Sequence, residues 1–172
     1  VNHELVLPDA TYERSYRAYI EELGDEERYP FPLDFDHADF AAMLRRMGDF
    51  SNGVNLPQGF VPSSTFWLVQ DGELVGVSNL RHLLNERIRH IGGHVGLGIR
   101  PSWRGHGLGT VLLALTIKEA RRRGIEPIHI HCHKHNVASA RIILSNGGVL
   151  ESEVREPGSD HVVQRYVVSG GR

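Results

Sequence analysis

The sequence predicts an α/β (α+β) fold built on a mixed sheet, mostly antiparallel, with one parallel β-α-β step. Three observations predict it. Residues 65–70 and 73–80 are β-rich runs around Asp71-Gly72, a dipeptide suited to a type I′ hairpin turn. Residues 91–98 read as a strand and 108–120 as a helix, with Leu108, Val111, Leu112 and Leu115 at helical spacing. The turn between them carries glycine at alternate positions, Gly105, Gly107 and Gly109. Residues 149–154 and 161–168 pair as a terminal hairpin around 156–159.

Taken in order, residues 1–7 form a first strand with Leu5 and Leu7 on one face. Pro8-Asp9 opens a helix whose Tyr12, Tyr16, Tyr19, Ile20 and Leu23 share a stripe, and Gly24 stops it. Residues 25–36 carry Tyr29, Pro30, Phe31, Pro32 and Phe35, too proline-rich for a helix. A second helix is expected over 37–47, with Asp36 as N-cap and Phe40, Met43, Leu44 and Met47 inward. Residues 48–64 read as a long loop and 82–89 as a polar connection. The middle strand is expected over 90–99. The long helix then runs to Gly124, a C′ residue behind Arg121, Arg122 and Arg123. A strand over 127–132 and a helix from Asn136 to Gly147-Gly148 precede the terminal hairpin.

Length and composition bound the class. The 172 residues are expected to form one domain, 1–172, with 40% apolar and 23% charged residues. A formal charge of −2 argues against a nucleic-acid surface, and no apolar run of about 18 residues predicts a membrane span. The single cysteine, Cys132, excludes an internal disulfide framework and fits a reducing compartment, so a cytoplasmic location is expected. The amino terminus lacks a signal-peptide pattern, although it starts at Val1 and not at Met.

The strand-to-helix turn is where chemistry is expected. Glycine admits positive φ and close ligand approach, and the first N–H groups of a helix lack intrahelical partners, so the turn is a cradle for phosphate. It is not a Walker loop, because no G-x-x-x-x-G-K-[ST] string exists. It is not a Rossmann loop, because the third glycine would fall at Thr110 or Leu112. What matches is Arg104-x-x-Gly107-x-Gly109. That string resembles the acetyl-CoA pyrophosphate loop of the GNAT superfamily of N-acetyltransferases. The element order is similar to the GNAT fold as well, which implies two middle strands that splay apart, a pantetheine arm in the wedge and helices on both faces. A plain glycine-rich turn is the competing account of the string alone.

A second segment extends the resemblance. His135-Asn136-Val-Ala-Ser139 is similar to the superfamily's second CoA-contacting segment, where an Asn opens a helix and a small residue three places on lets the cofactor lie close. Asn136 is equally a good helix N-cap. The resemblance thus nominates Leu97, Gly98, Ile99, Arg104, Gly105, His106, Gly107, Leu108, Gly109, Thr110, Asn136 and Ser139 as acetyl-CoA contacts. It also implies a backbone N–H of the middle strand as oxyanion donor, worth about 3–4 kcal/mol. Gly96 and Gly98 flank Leu97, and either permit a bulge there or relieve crowding against a packed helix. One departure stands out. Many members carry a Tyr seven residues after the Asn as general acid, and Ile143 stands here, which leaves the acid to water or another side chain such as Tyr166.

An alkylammonium needs a base before it can attack. His94 is the first candidate, although strand alternation sets it opposite Val95, Leu97 and Ile99, and His131 is the second. Both could equally be hydrogen-bonded structural histidines. His129, His131, His133 and His135 share a strand face but lack the matched carboxylates or cysteines of a metal site, so no metal is expected. The resemblance places the acceptor near Tyr29, Phe31 and Phe35, which are also plausible core aromatics. The function expected is transfer of acetyl from acetyl-CoA to a primary amine of a small molecule or peptide. The alternative is a non-catalytic acetyl-CoA-binding or sensing module. Nucleic-acid and membrane partners are not expected, and a homodimer is allowed.

Overall fold

The computed structural model describes residues 1–170. Its strands are β1 (His3–Val6), β2 (Ser63–Gln70), β3 (Glu73–Arg81), β4 (Val95–Ile99), β5 (Ile128–His133), β6 (Val149–Arg155) and β7 (Val162–Val168). Its helices are α1 (Glu13–Leu23), α2 (Phe40–Asn52), α3 (Glu86–His90), α4 (Leu108–Arg122) and α5 (Val137–Ser145).

The strands form two antiparallel sheets in the orders β1-β2-β3-β4 and β5-β7-β6. Helices cover both faces of the first. Trp67 and Val77 project to one side and pack with Tyr16, Phe40 and Met43 of α1 and α2. Phe66, Leu68, Val75 and Leu80 project to the other, against Leu112, Leu113 and Ile117 of α4. This is the period-2 alternation of a strand buried on both faces, broken at Val75, which has no partner where the β2–β3 register shifts between Leu68 and Val69. Ser78 on β3 hydrogen-bonds Thr116 of α4 at 2.8 Å and fixes the docking of that helix.

No ladder joins β4 to β5 among the described residues, so the expected parallel step is not seen as a paired ladder. The crossover β4-α4-β5 is present, yet all ladders among the described residues are antiparallel. β4 and β5 meet only at an isolated bridge, Gly93 with Ile130. Above it the two strands diverge.

Several boundaries differ from the sequence expectation for identifiable reasons. α2 runs on to Asn52 because Phe50, buried like Phe40, Met43 and Met47, continues the same apolar stripe. Its N-cap is Asp39, whose carboxylate accepts from Ala42 N–H at 3.1 Å, and not Asp36, which closes a turn onto Ala38 N–H at 2.9 Å. The polar connection contains α3, capped by Asn85 and anchored by buried Ile88. β4 begins at Val95 and not at residue 90, because Gly92 and Gly93 take φ of 110° and 68° and break the extended run. Asp71 (φ 51°) and Gly72 (φ 82°) make the hairpin turn as their sequence requires.

Candidate active site

The site is built on the divergence of β4 and β5. In the β3–β4 register Arg81 N–H donates to the His94 carbonyl (2.7 Å) and Arg100 N–H to the Val75 carbonyl (2.8 Å). Alternation therefore commits Gly96 and Gly98 to β3 and turns the backbone groups of Val95, Leu97 and Ile99 away from it. On the other sheet Lys134 N–H donates to the Val162 carbonyl at 2.8 Å, so the same alternation turns the backbones of His129, His131 and His133 away from β7. Two rows of backbone N–H and C=O groups thus face each other across the wedge. Only the lower end is closed, where His94 N–H donates to the His129 carbonyl (2.7 Å) and His129 N–H to His94 Nδ1 (2.9 Å).

The β3–β4 ladder has no bulge. Gly96 and Gly98 are glycine for a different reason from either considered in the sequence. A Cβ at Gly96 would lie 2.8 Å from the Tyr29 hydroxyl, and one at Gly98 2.5 Å from the Tyr29 carbonyl. The Tyr29-Pro30 segment straps across the front of β4, and side chains there would expel it.

At the upper end, Gly107 caps α4 in the left-handed region (φ 77°, ψ 8°) and supplies no side-chain cap. The first N–H groups of α4, those of Leu108, Gly109 and Thr110, have no intrahelical acceptor and no side-chain cap. The space beside Gly107 is open. Gly109 differs, since a Cβ there would overlap the Ile142 side chain of α5. It is small for helix packing. Arg104 commits its guanidinium to protein partners: Nη1 and Nη2 donate to the two Glu26 oxygens at 3.0 Å each, and Nε to the Ile99 carbonyl at 3.0 Å. That bidentate pair holds the Glu26 carboxyl below the ordinary carboxylate range. Glu22 anchors the same loop, accepting from Ser102 N–H at 2.9 Å and from Arg100 Nε. His106 is exposed, with Nδ1 3.2 Å from the Trp103 carbonyl. A cavity of about 430 Å³ beside the loop is bordered by Ser102, Trp103, His106 and Leu108.

Asn136 caps α5 through Oδ1, which accepts from Ser139 N–H at 3.1 Å. Its Nδ2 donates to no group among the described residues, so capping and ligand contact are compatible. Ile143 is buried at 3% exposure and belongs to the core. Tyr166 is buried too, with its hydroxyl donating to Gln164 Oε1 at 3.0 Å.

The two histidine candidates separate sharply. His94 Nδ1 accepts the backbone N–H that pins β4 to β5, so its Nδ1 lone pair is occupied. His131 is 8% exposed and both of its ring nitrogens lack a partner. Burial holds both imidazoles down to about 4, with neighbouring His129 adding to the effect, so both are neutral at pH 7. His131 thus has both ring nitrogens available as donor and acceptor, whereas His94 has only Nε2. Of the aromatic candidates, Phe31 and Phe35 pack into a cluster with Phe50, and only half-exposed Tyr29 stands at β4. No group of three or more metal-ligating side chains is arranged for a metal ion among the described residues.

A glycine-turned helix end above two open strand edges is matched by sequence as well. The profile described as "Acetyltransferase (GNAT) family" matches residues 19–147. The chain belongs to the GNAT acetyltransferase family. It is an acetyl-CoA-dependent enzyme of that family, and the two open edges and the bare α4 terminus suit a ligand carrying amides and phosphates. No curated protein sequence matches the chain.

Solved GNAT structures share its fold at low identity. An acetyltransferase of the family from Streptococcus pneumoniae is 18% identical with a TM-score of 0.66, the match covering 97% of this chain and 99% of that one. The Salmonella typhimurium acetyltransferase that modifies the N-terminal serine of ribosomal protein L7/L12 is 17% identical with a TM-score of 0.70, over 99% and 96%. The microcin C7 self-immunity acetyltransferase MccE, solved with acetyl-CoA and AMP, is 15% identical with a TM-score of 0.69, over 97% and 92%.

Sequence reasoning did not find Glu22, Glu26 or Arg100, which hold the loop. The spacing of Glu22 and Glu26 on and just beyond one helix end was visible, but nothing in the sequence pairs them with a loop some 80 residues on.

Proposed function

We propose that the chain acetylates an α-amino group, at the N-terminus of a peptide or on a small molecule, with His131 as the base. The observation that carries this reading is His131 itself, buried on the open side of the β4–β5 bridge with both nitrogens free. Acetyl-CoA supplies the activated acetyl thioester. Leu97 and Ile99 offer backbone N–H and C=O groups to the amides of its arm, Asn136 Nδ2 offers a donor, and the N–H groups of Leu108, Gly109 and Thr110 receive its phosphates. Arg104 contributes by locking the loop, since its guanidinium is held by Glu26.

With so weak a base, the acceptor's own pKa decides which amines can react. An imidazole near 4 cannot strip a lysine ammonium of pKa about 10.4, of which only about 0.1% is neutral at pH 7.5. About a third of α-amines, with pKa near 7.8, are neutral at that pH. His131 then has only to take the proton released as the new C–N bond forms; the thioester C–S bond breaks, and CoA leaves as the thiol once its sulfur takes up a proton. Support also comes from a fold neighbour that modifies an N-terminal serine. Tyr29 stands over Gly96 at the front of the wedge and lines the acceptor's approach. The test is thiol release from acetyl-CoA with matched peptides. A free N-terminus should support turnover, whereas an N-blocked peptide with a free lysine should not. The opposite preference refutes the proposal.

A further inference from the structure

Below the bridge that closes the wedge lies a second cavity, of about 360 Å³, on the side away from the open strand edges. Its lining includes Arg89, Arg123, His82, His94, His129 and Glu126. Three features set its chemistry. First, neither Arg89 nor Arg123 has a carboxylate partner among the described residues, and Arg123 Nη1 instead lies 3.4 Å from His82 Nε2. Second, His94 Nδ1 accepts the His129 N–H, so the neutral ring must carry its proton on Nε2 and act as a donor there. Third, the only lining carboxylate among the described residues, Glu126, is engaged elsewhere, accepting from Gly170 N–H at 2.9 Å with Arg121 Nε at 3.9 Å. Two unpaired guanidiniums and a fixed imidazole N–H around one cavity form an arrangement complementary to an oxyanion.

The geometry points to a second ligand site here, for a phosphate monoester, distinct from the loop at the start of α4. The volume exceeds what a bare ion fills and lies in the range of small-molecule pockets. Arginine forks favour phosphate over a single-charged anion. The site has a built-in connection to the wedge, because His94 and His129 both line the cavity and make the two bonds that pin β4 to β5. A phosphate group held there braces the closed end of the wedge.

The test uses protein saturated with CoA, so that the α4 loop is already filled. Inorganic phosphate is titrated against chloride at constant ionic strength while the imidazole signals of His94 and His129 are followed by NMR. A saturable shift of both signals is expected, with the dissociation constant weakened at least tenfold in Arg89→Ala/Arg123→Ala. Arg89 makes no ion pair or side-chain hydrogen bond among the described residues, so Arg89→Ala alone should fold normally and weaken phosphate about threefold or more. A response that is absent in CoA-saturated wild type, or that survives undiminished in Arg89→Ala and the double variant, overturns the site.

Discussion

At the lower end of the β4–β5 junction, His94 and His129 exchange two hydrogen bonds and Gly93 bridges Ile130. At the upper end, one residue pair further on, Val95, Leu97 and Ile99 face His131 and His133 with no ladder between them. The contrast is sharpest in two histidines of nearly equal burial, 6% for His94 and 8% for His131, both held near pKa 4. One has its Nδ1 satisfied by backbone, and the other has neither nitrogen satisfied. The depressed pKa therefore reports burial first and neighbouring positive charge second, and does not separate the two rings. The hydrogen bonds are what separate the two rings: His94 is tied into the β4–β5 junction through Nδ1, and His131 is not tied in through either nitrogen.

The comparison breaks most visibly at His131. His131→Gln should lower kcat by about 10²–10⁴ while acetyl-CoA affinity stays within a few-fold. His94→Gln should act mainly on stability and on the wedge. Steady-state rates and acetyl-CoA titrations of both variants check this, and equal loss of kcat would erase the distinction.

Next in size is the pH dependence of folding. Both native imidazoles sit near 4 against about 6.5 in the unfolded chain, so between those values the unfolded state binds more protons. The contribution is fully present above about pH 6.5 and is lost as pH falls towards 4, by about 3 kcal/mol for each histidine. Denaturant melts at pH 7 and pH 4.5 should show this loss, and the His131→Gln variant should lose less than wild type.

The two glycines of the loop sharpen the upper end. Gly109→Ala forces a Cβ into Ile142 and should cost about 1–3 kcal/mol of stability, read from denaturant midpoints. Gly107→Asn should fold, because Asn tolerates the left-handed region and the surrounding space is open. Its side chain should still weaken acetyl-CoA binding about tenfold or more, worth about 1.4 kcal/mol, by crowding the helix N-terminus.

Much of this was legible in the sequence, and for stated reasons. Strong local signals carried the Asp71-Gly72 hairpin, the glycine turn into α4 and the Asn136 cap, because each is fixed by backbone conformation within a few residues. Long-range facts were not legible. Gly96 and Gly98 invited a bulge, whereas the crowding comes from Tyr29, nearly 70 residues earlier. Gly109 and Gly107 look alike in the motif, yet one answers to Ile142 and the other to φ. The choice between His94 and His131 turned on which backbone N–H reaches which ring, which no periodicity encodes.

The open edges of β4 and β5 are expected to receive the acetyl-CoA arm. Residue-resolved amide exchange tests this directly. On saturation with acetyl-CoA, the Leu97 and Ile99 amides should slow markedly, while those of Gly96 and Gly98, already bonded to β3, should change little. Unaltered exchange at Leu97 and Ile99 in the saturated protein would contradict the account.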